Sequence, residues 1–77
     1  MGIHRLDVRG LACPLPVLKA RRALRDLPAG AELEVLATDP AARSDFPAFC
    51  RTTGHTLLGV EEGADGTLAF RLRKTGP

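Results

Sequence analysis

The chain predicts an α/β two-layer sandwich: a four-stranded mixed sheet with two helices on one face, in the order βαβαββ. Three observations carry this. Two short alternating segments flank an amphipathic helical stretch, which makes a strand–helix–strand unit with a right-handed crossover and a parallel strand pair. A second helical stretch follows, with Asp, Ser and Pro near its start and Gly at its end. The remainder alternates again on both sides of Gly63-Ala64-Asp65-Gly66, where Asp-Gly favours a tight hairpin. At 77 residues the chain is expected to form a single domain, residues 1–77, with a thin stability margin.

The first strand runs from His4 to Arg9. Leu6 and Val8 lie on one face, and Arg5, Asp7 and Arg9 on the other. Gly10 ends it and permits a turn. Next come Cys13, Pro14, Leu15 and Pro16. Proline is best tolerated in the first turn of a helix, where backbone donors have no partner. Cys13 is therefore expected at the N-cap, with Pro14 and Pro16 shaping the turn. The helix dipole and nearby Arg side chains would then favour its thiolate. The two prolines also remove N–H groups that could otherwise bind an anion there. The alternative is a buried thiol packed as a small hydrophobe.

The first helix is expected from about Pro14 to Leu27. Val17, Ala20, Leu24 and Leu27, with Ala23 beside them, form its core stripe. Leu15 and Leu18 fall outside that stripe, among polar residues and close to Cys13. They are either tucked under a loop or exposed as a contact for another protein. Pro28-Ala29-Gly30 stops the helix. The second strand, Ala31 to Ala37, sets Ala31, Leu33, Val35 and Ala37 against Glu32, Glu34 and Leu36.

Thr38-Asp39-Pro40 opens a loop. Ser44 or Asp45 is expected to cap the second helix, with Pro47 in its first turn and Gly54 just past its end. Phe46, Phe49, Cys50 and Thr53 share one face, which puts Cys50 in the core. In the final hairpin, His55 to Glu62 and Thr67 to Lys74, Leu58 and Val60 are expected to face the core opposite Leu68, Phe70 and Leu72. Arg71 and Arg73 point the other way, and Gly76-Pro77 reads as a frayed tail.

Composition narrows the function. The formal net charge is +2, but residues 1–25 hold Arg5, Arg9, Lys19, Arg21, Arg22 and Arg25 against Asp7 alone. That asymmetry points to an acidic partner surface, to nucleic acid, or to a solvated helix face. No apolar run approaches the ~20 residues of a membrane span. Met1-Gly2-Ile3-His4-Arg5-Leu6 lacks a signal-peptide core, so a cytoplasmic protein is expected. Cys13, Cys50, His4 and His55 show none of the paired spacings of a zinc site, and two cysteines are too few for a disulfide scaffold.

The sequence shows no Ser–His–carboxylate arrangement, P-loop or dinucleotide fingerprint. A Cys–His hydrolase would need a histidine beside Cys13, and His4 starts the first strand at its far end. A lone activated cysteine on a small open domain suits group transfer instead, taking a group from one protein and giving it to another.

The stretch Leu6-Asp7-Val8-Arg9-Gly10-Leu11-Ala12-Cys13-Pro14-Leu15-Pro16-Val17 resembles the opening signature of the TusA/SirA-like sulfur carriers, centred on Cys-Pro-x-Pro. Ala37-Thr38-Asp39-Pro40, Asp45-Phe46-Pro47-Ala48-Phe49-Cys50 and Gly54-His55 resemble further blocks of that family, with Phe46 where Ile is frequent. The resemblance covers residues 6 to 74. It implies that Cys13 takes sulfane sulfur as a persulfide and that no cofactor is needed. The implied partners are a donor protein, a cysteine desulfurase or a rhodanese-like protein, and an acceptor protein. Acceptor routes in the family include tRNA 2-thiouridine formation, molybdenum-cofactor synthesis and sulfur oxidation. Leu15 and Leu18, rimmed by Arg9, Lys19 and Arg22, form the expected docking surface.

Two other readings stand beside this one. Cys13 could be a redox-sensing thiol resolved by Cys50, which predicts a Cys13–Cys50 disulfide. The basic first helix could instead touch RNA electrostatically. All three Phe residues read as core, however, which leaves no stacking platform, and stable nucleic-acid binding is not expected.

Overall fold

In the computed structural model, which describes residues 3–75, the elements are β1 (His4–Asp7), α1 (Leu15–Arg25), β2 (Glu32–Ala37), α2 (Ala42–Thr53), β3 (Thr56–Glu62) and β4 (Leu68–Arg73). The sheet order is β1-β2-β4-β3. β1 and β2 are parallel, and the other two pairs are antiparallel. This is the expected βαβαββ mixed sheet. The expected tail at Gly76-Pro77 lies outside the described residues.

The register of the two central strands decides which face is dry. Leu33 pairs with Leu72, Val35 with Phe70 and Ala37 with Leu68, and all six are buried. Glu32, Glu34, Ala69, Arg71 and Arg73 lie on the opposite face, which carries the surface ion pair Arg73–Glu32. A sheet with one apolar face must cover it, and the two helices do so. From α1 come Pro16, Ala20 and Leu24, with Val17, Ala23 and Leu27 partly buried against the core. From α2 come Ala42, Phe46, Phe49 and Cys50. The Phe46 and Phe70 rings stack across the layers with centroids 4.6 Å apart. Cys50 is only 6% exposed, as its position on one helix face with Phe46 and Phe49 predicts.

Three local expectations are corrected. The N-cap of α1 is Pro14, so Cys13 stands one residue before it, with Leu15 and Pro16 as the first helical residues. The second helix starts earlier than expected, with Ala41 at its N-cap. Ser44 and Asp45 therefore lie within its first turns, and Pro47 lies inside the helix. The reason is Asp39. Its Oδ1 accepts the Ala41 N–H at 3.1 Å and its carbonyl accepts the Ala42 N–H at 3.0 Å, so the Asp39-Pro40 turn already opens the helix. At the other end, Gly54 at φ +86° closes α2 with its N–H on the Cys50 carbonyl, as its glycine chemistry predicts.

The third correction concerns β3. Leu58 and Val60 are 38% and 45% exposed and do not form a core face. A bulge between Leu57 and Gly59 breaks the alternation. Leu57, opposite Leu72, takes the core position, and Leu58 lies over the open face beside Glu34 and Arg71. Val60 pairs with Phe70 but sits on an edge strand, where it remains half open.

Candidate functional site

Because β1 and β2 run parallel, the loops that follow them emerge side by side. In open α/β sheets, functional groups gather at this carboxyl end of the strands. Gly10 turns the first loop at φ +83°, a region that penalises a β-carbon, and its N–H donates to Thr38 Oγ1 at 2.9 Å. The Cys13 N–H donates to Asp39 Oδ2 at 2.6 Å. One carboxylate therefore holds the cysteine loop with one oxygen and the start of α2 with the other. The Cys13–Pro14 peptide is cis. Pro14 and Pro16 both stand in the turn that starts α1, but only Pro16 is buried.

Cys13 is exposed at one end of an open groove of about 330 Å³ between α1 and α2. Val17, Leu18 and Arg21 line one wall of this groove, and Asp45, Phe49 and Thr53 line the other. The electrostatics differ from the expectation of an activated thiolate. The Cys13 thiol is pushed up from its ordinary value. The first cause is the Asp45 carboxylate, placed to accept its hydrogen; partial desolvation and the negative charges of Asp45 and Asp39 add to it. With Cys13 outside the N-cap and two carboxylates beside it, the α1 dipole does not prevail. Burial alone raises the Cys50 thiol.

The structure divides the expected docking residues. Leu15, Leu18, Lys19 and Arg22 come together around a second hollow of about 510 Å³, on the other side of α1, with Leu6 at its floor. Leu15 and Leu18 are 45% and 51% exposed, so neither is tucked under a loop. Leu18 forms the ridge between this hollow and the Cys13 groove. Arg9 does not join them. Its guanidinium forks onto Asp7 at 2.9 and 2.8 Å and holds that carboxyl down to about 2.

Three residues of the site were not singled out by the sequence reading. Asp39 was legible only as part of a turn and Asp45 only as a helix cap. Arg21 is the basic residue that lines the Cys13 groove; Lys19 and Arg22 do not. Among the described residues, no three His, Cys, Asp or Glu side chains are grouped to hold a metal ion, and no helix is long and apolar enough to cross a membrane.

Comparison with known proteins agrees with this geometry. A family profile described as "Sulfurtransferase TusA" matches residues 4–74. The chain is 55% identical over 62 residues to a candidate sulfur carrier protein of Neisseria meningitidis serogroup A, covering 80% of this chain and 84% of the relative. It is 48% identical over 69 residues to the sulfur carrier protein TusA of Pseudomonas syringae pv. syringae, covering 90% and 81% of the two chains. The crystal structure of a SirA-like protein from Desulfitobacterium hafniense superposes with a TM-score of 0.83 at 25% identity, covering 97% of this chain and all of the other. On this match of sequence, fold and profile, the chain belongs to the TusA sulfurtransferase family.

Proposed function

We propose that this protein is a sulfur carrier that accepts sulfane sulfur as a persulfide on Cys13 and relays it to an acceptor protein. The observation that carries the reading is the exposure of Cys13 at the mouth of an open groove. A second protein can reach this sulfur directly, whereas a deep pocket would exclude it. The donor is a cysteine desulfurase or a rhodanese-like protein, and the work is done in the cytoplasm, where thiols stay reduced. The acceptor serves a route such as tRNA 2-thiolation, molybdenum-cofactor synthesis or sulfur oxidation.

The transfer balances without a redox partner. The Cys13 sulfur attacks the outer sulfur of the donor persulfide, the donor S–S bond breaks, and the donor cysteine leaves as a thiolate. The Cys13 proton passes to the leaving thiolate. Pushing the thiol up in this way lowers its thiolate fraction and with it the free carrier's reactivity toward small electrophiles. A partner cation set against Asp45 would release the thiolate only in the docked complex. Gly10, Pro14 and Pro16 fix the course of the cysteine loop.

The docking surface is the Leu15/Leu18 ridge with Lys19 and Arg22. Arg9, committed to Asp7, contributes through the loop it braces. Leu18→Glu and Arg22→Glu should each slow sulfur arrival from a protein donor by about tenfold or more, the size of a hot-spot loss. Alkylation of Cys13 by a small reagent should be unchanged in Arg22→Glu, whose side chain lies outside the Cys13 groove. Undiminished transfer in both variants would remove this surface from the account. The buried position of Cys50, outside the Cys13 groove, favours carriage over a redox sensor with a Cys13–Cys50 disulfide.

A further inference from the structure

At the far end of α1 from Cys13 lies a cleft of about 640 Å³, bordered by Arg21, Arg22, Arg25, His55 and Lys74. No acidic side chain lines it. Of the six other arginines, four pair with carboxylates, Arg5 with Glu34, Arg9 with Asp7, Arg43 with Glu62 and Arg73 with Glu32, and Arg51 and Arg71 stand singly on other surfaces. Arg21, Arg22 and Arg25 have no such partner among the described residues. The frame of the cleft is itself held in place. Lys74 Nζ donates to the Arg25 and Leu27 carbonyls at 3.1 and 2.6 Å, and His55 Nδ1 accepts the Thr75 N–H at 3.2 Å. In neutral His55 that bond leaves the ring proton on Nε2. Three arginines without a carboxylate partner therefore border one cleft, with a further N–H donor beside them.

We propose that this cleft binds a small, multiply charged phosphate-type oxyanion, with pyrophosphate as its simplest representative. Guanidinium forks match tetrahedral oxyanions in geometry and in charge. Three unneutralised arginines, with Lys74 adding to the field, call for a ligand of two or more charges. Leu18 is the one apolar side chain of the lining, and Phe46, Phe49 and Phe70 are buried and do not line it. The lining is dominated by cationic donors, so recognition is of the anion. The cleft shares Leu18, Arg21, Arg22 and Thr53 with the two hollows beside it, while Arg25, His55, Lys74 and Thr75 line neither of those, so binding read at His55 and Thr75 tests separately from sulfur transfer.

The test is a ¹⁵N NMR titration of the full chain with sodium pyrophosphate at low salt. Saturable shifts are expected at Arg21, Arg25, Thr53, His55 and Thr75, with weaker binding of monophosphate. Arg21→Gln and Arg25→Gln should each weaken binding roughly tenfold, as loss of a charge-assisted hydrogen bond does. Arg71→Gln, on the open sheet face, should change nothing. A second readout comes from His55, whose imidazolium is disfavoured first by burial and then by Lys74. Its surroundings are the Phe49 ring of α2, the arginines of α1, and Lys74 and Thr75 after β4. A bound polyanion opposes that repulsion, so the His55 titration should move to higher pH. Three results would overturn the proposal: no saturable localised shift, an equal loss in Arg71→Gln, or tighter binding at these residues by hexaglutamate or a single-stranded RNA. The last result would reassign the cleft to an acidic protein segment or to nucleic acid.

Discussion

Asp45→Asn should lower the Cys13 thiol pKa and make alkylation by iodoacetamide severalfold faster at neutral pH. The sign follows from charge. A carboxylate beside a thiol stabilises the protonated form by accepting its hydrogen, and it repels the thiolate once that forms. Removing the charge abolishes the repulsion and weakens the acceptor, and the Asn amide can donate to the thiolate, while the helix dipole of α1 remains. Below the thiol pKa the rate follows the thiolate fraction, so the pH–rate curve should move to lower pH, with a somewhat lower plateau because a less basic thiolate is a weaker nucleophile. Asp39→Asn should move it less, because the Asp39 charge is the smallest of the causes. Glu62→Gln, at the end of β3 in a surface pair with Arg43, should leave the curve in place. Coincident curves for wild type and Asp45→Asn would show that Asp45 does not govern the thiol.

The second large effect is on stability. Phe46→Ala should cost about 3–5 kcal/mol, the range for deleting a fully buried ring. A chain of this size has roughly 4–12 kcal/mol in total. Phe46 is fully buried and stacks on Phe70 at the centre of the core. It is also the residue after Asp45, so its loss loosens the helix that carries the carboxylate facing Cys13. Urea unfolding should show a strongly lowered midpoint or no folded baseline. Phe46→Ile keeps a branched apolar side chain there and should retain a cooperative transition. A midpoint for Phe46→Ala close to wild type would mean that the core is organised elsewhere.

The fold was largely legible because two of its signals are local. Leu33, Val35 and Ala37 alternate with Glu32, Glu34 and Leu36, and the structure buries the first set. The Ala20/Leu24 stripe of α1 likewise reads directly as a buried face. What the sequence hid is what depends on pairing across the chain. The β3 bulge leaves no trace in the periodicity of Leu57, Leu58 and Val60, because it is defined by the partner strand. Asp39 opens α2 through hydrogen bonds to Ala41 and Ala42, so a loop residue displaced Ser44 and Asp45 from the cap.

The site shows the same division. Cys13, Pro14 and Pro16 announce themselves as a local motif, and the helical wheel sets Leu15 and Leu18 outside the core stripe, where the structure leaves them exposed rather than tucked under a loop. The charge environment of the cysteine does not. Asp45 is far from Cys13 in sequence and reaches it only because α1 and α2 pack side by side. A local reading of the helix start therefore predicts a lowered thiol pKa, and the packed structure reverses the sign. Arg9 shows the opposite case: a basic residue near the motif whose charge is already taken by Asp7.

Intact-mass analysis after incubation with a cysteine desulfurase and cysteine, without reductant, tests the central claim most directly. Wild type, Cys13→Ser and Cys50→Ser are compared, and the series is repeated with a rhodanese and thiosulfate. The account predicts one added sulfur atom on wild type and on Cys50→Ser, removable by dithiothreitol, and none on Cys13→Ser. Added sulfur that persists in Cys13→Ser, or no added sulfur on wild type from either donor, would contradict it.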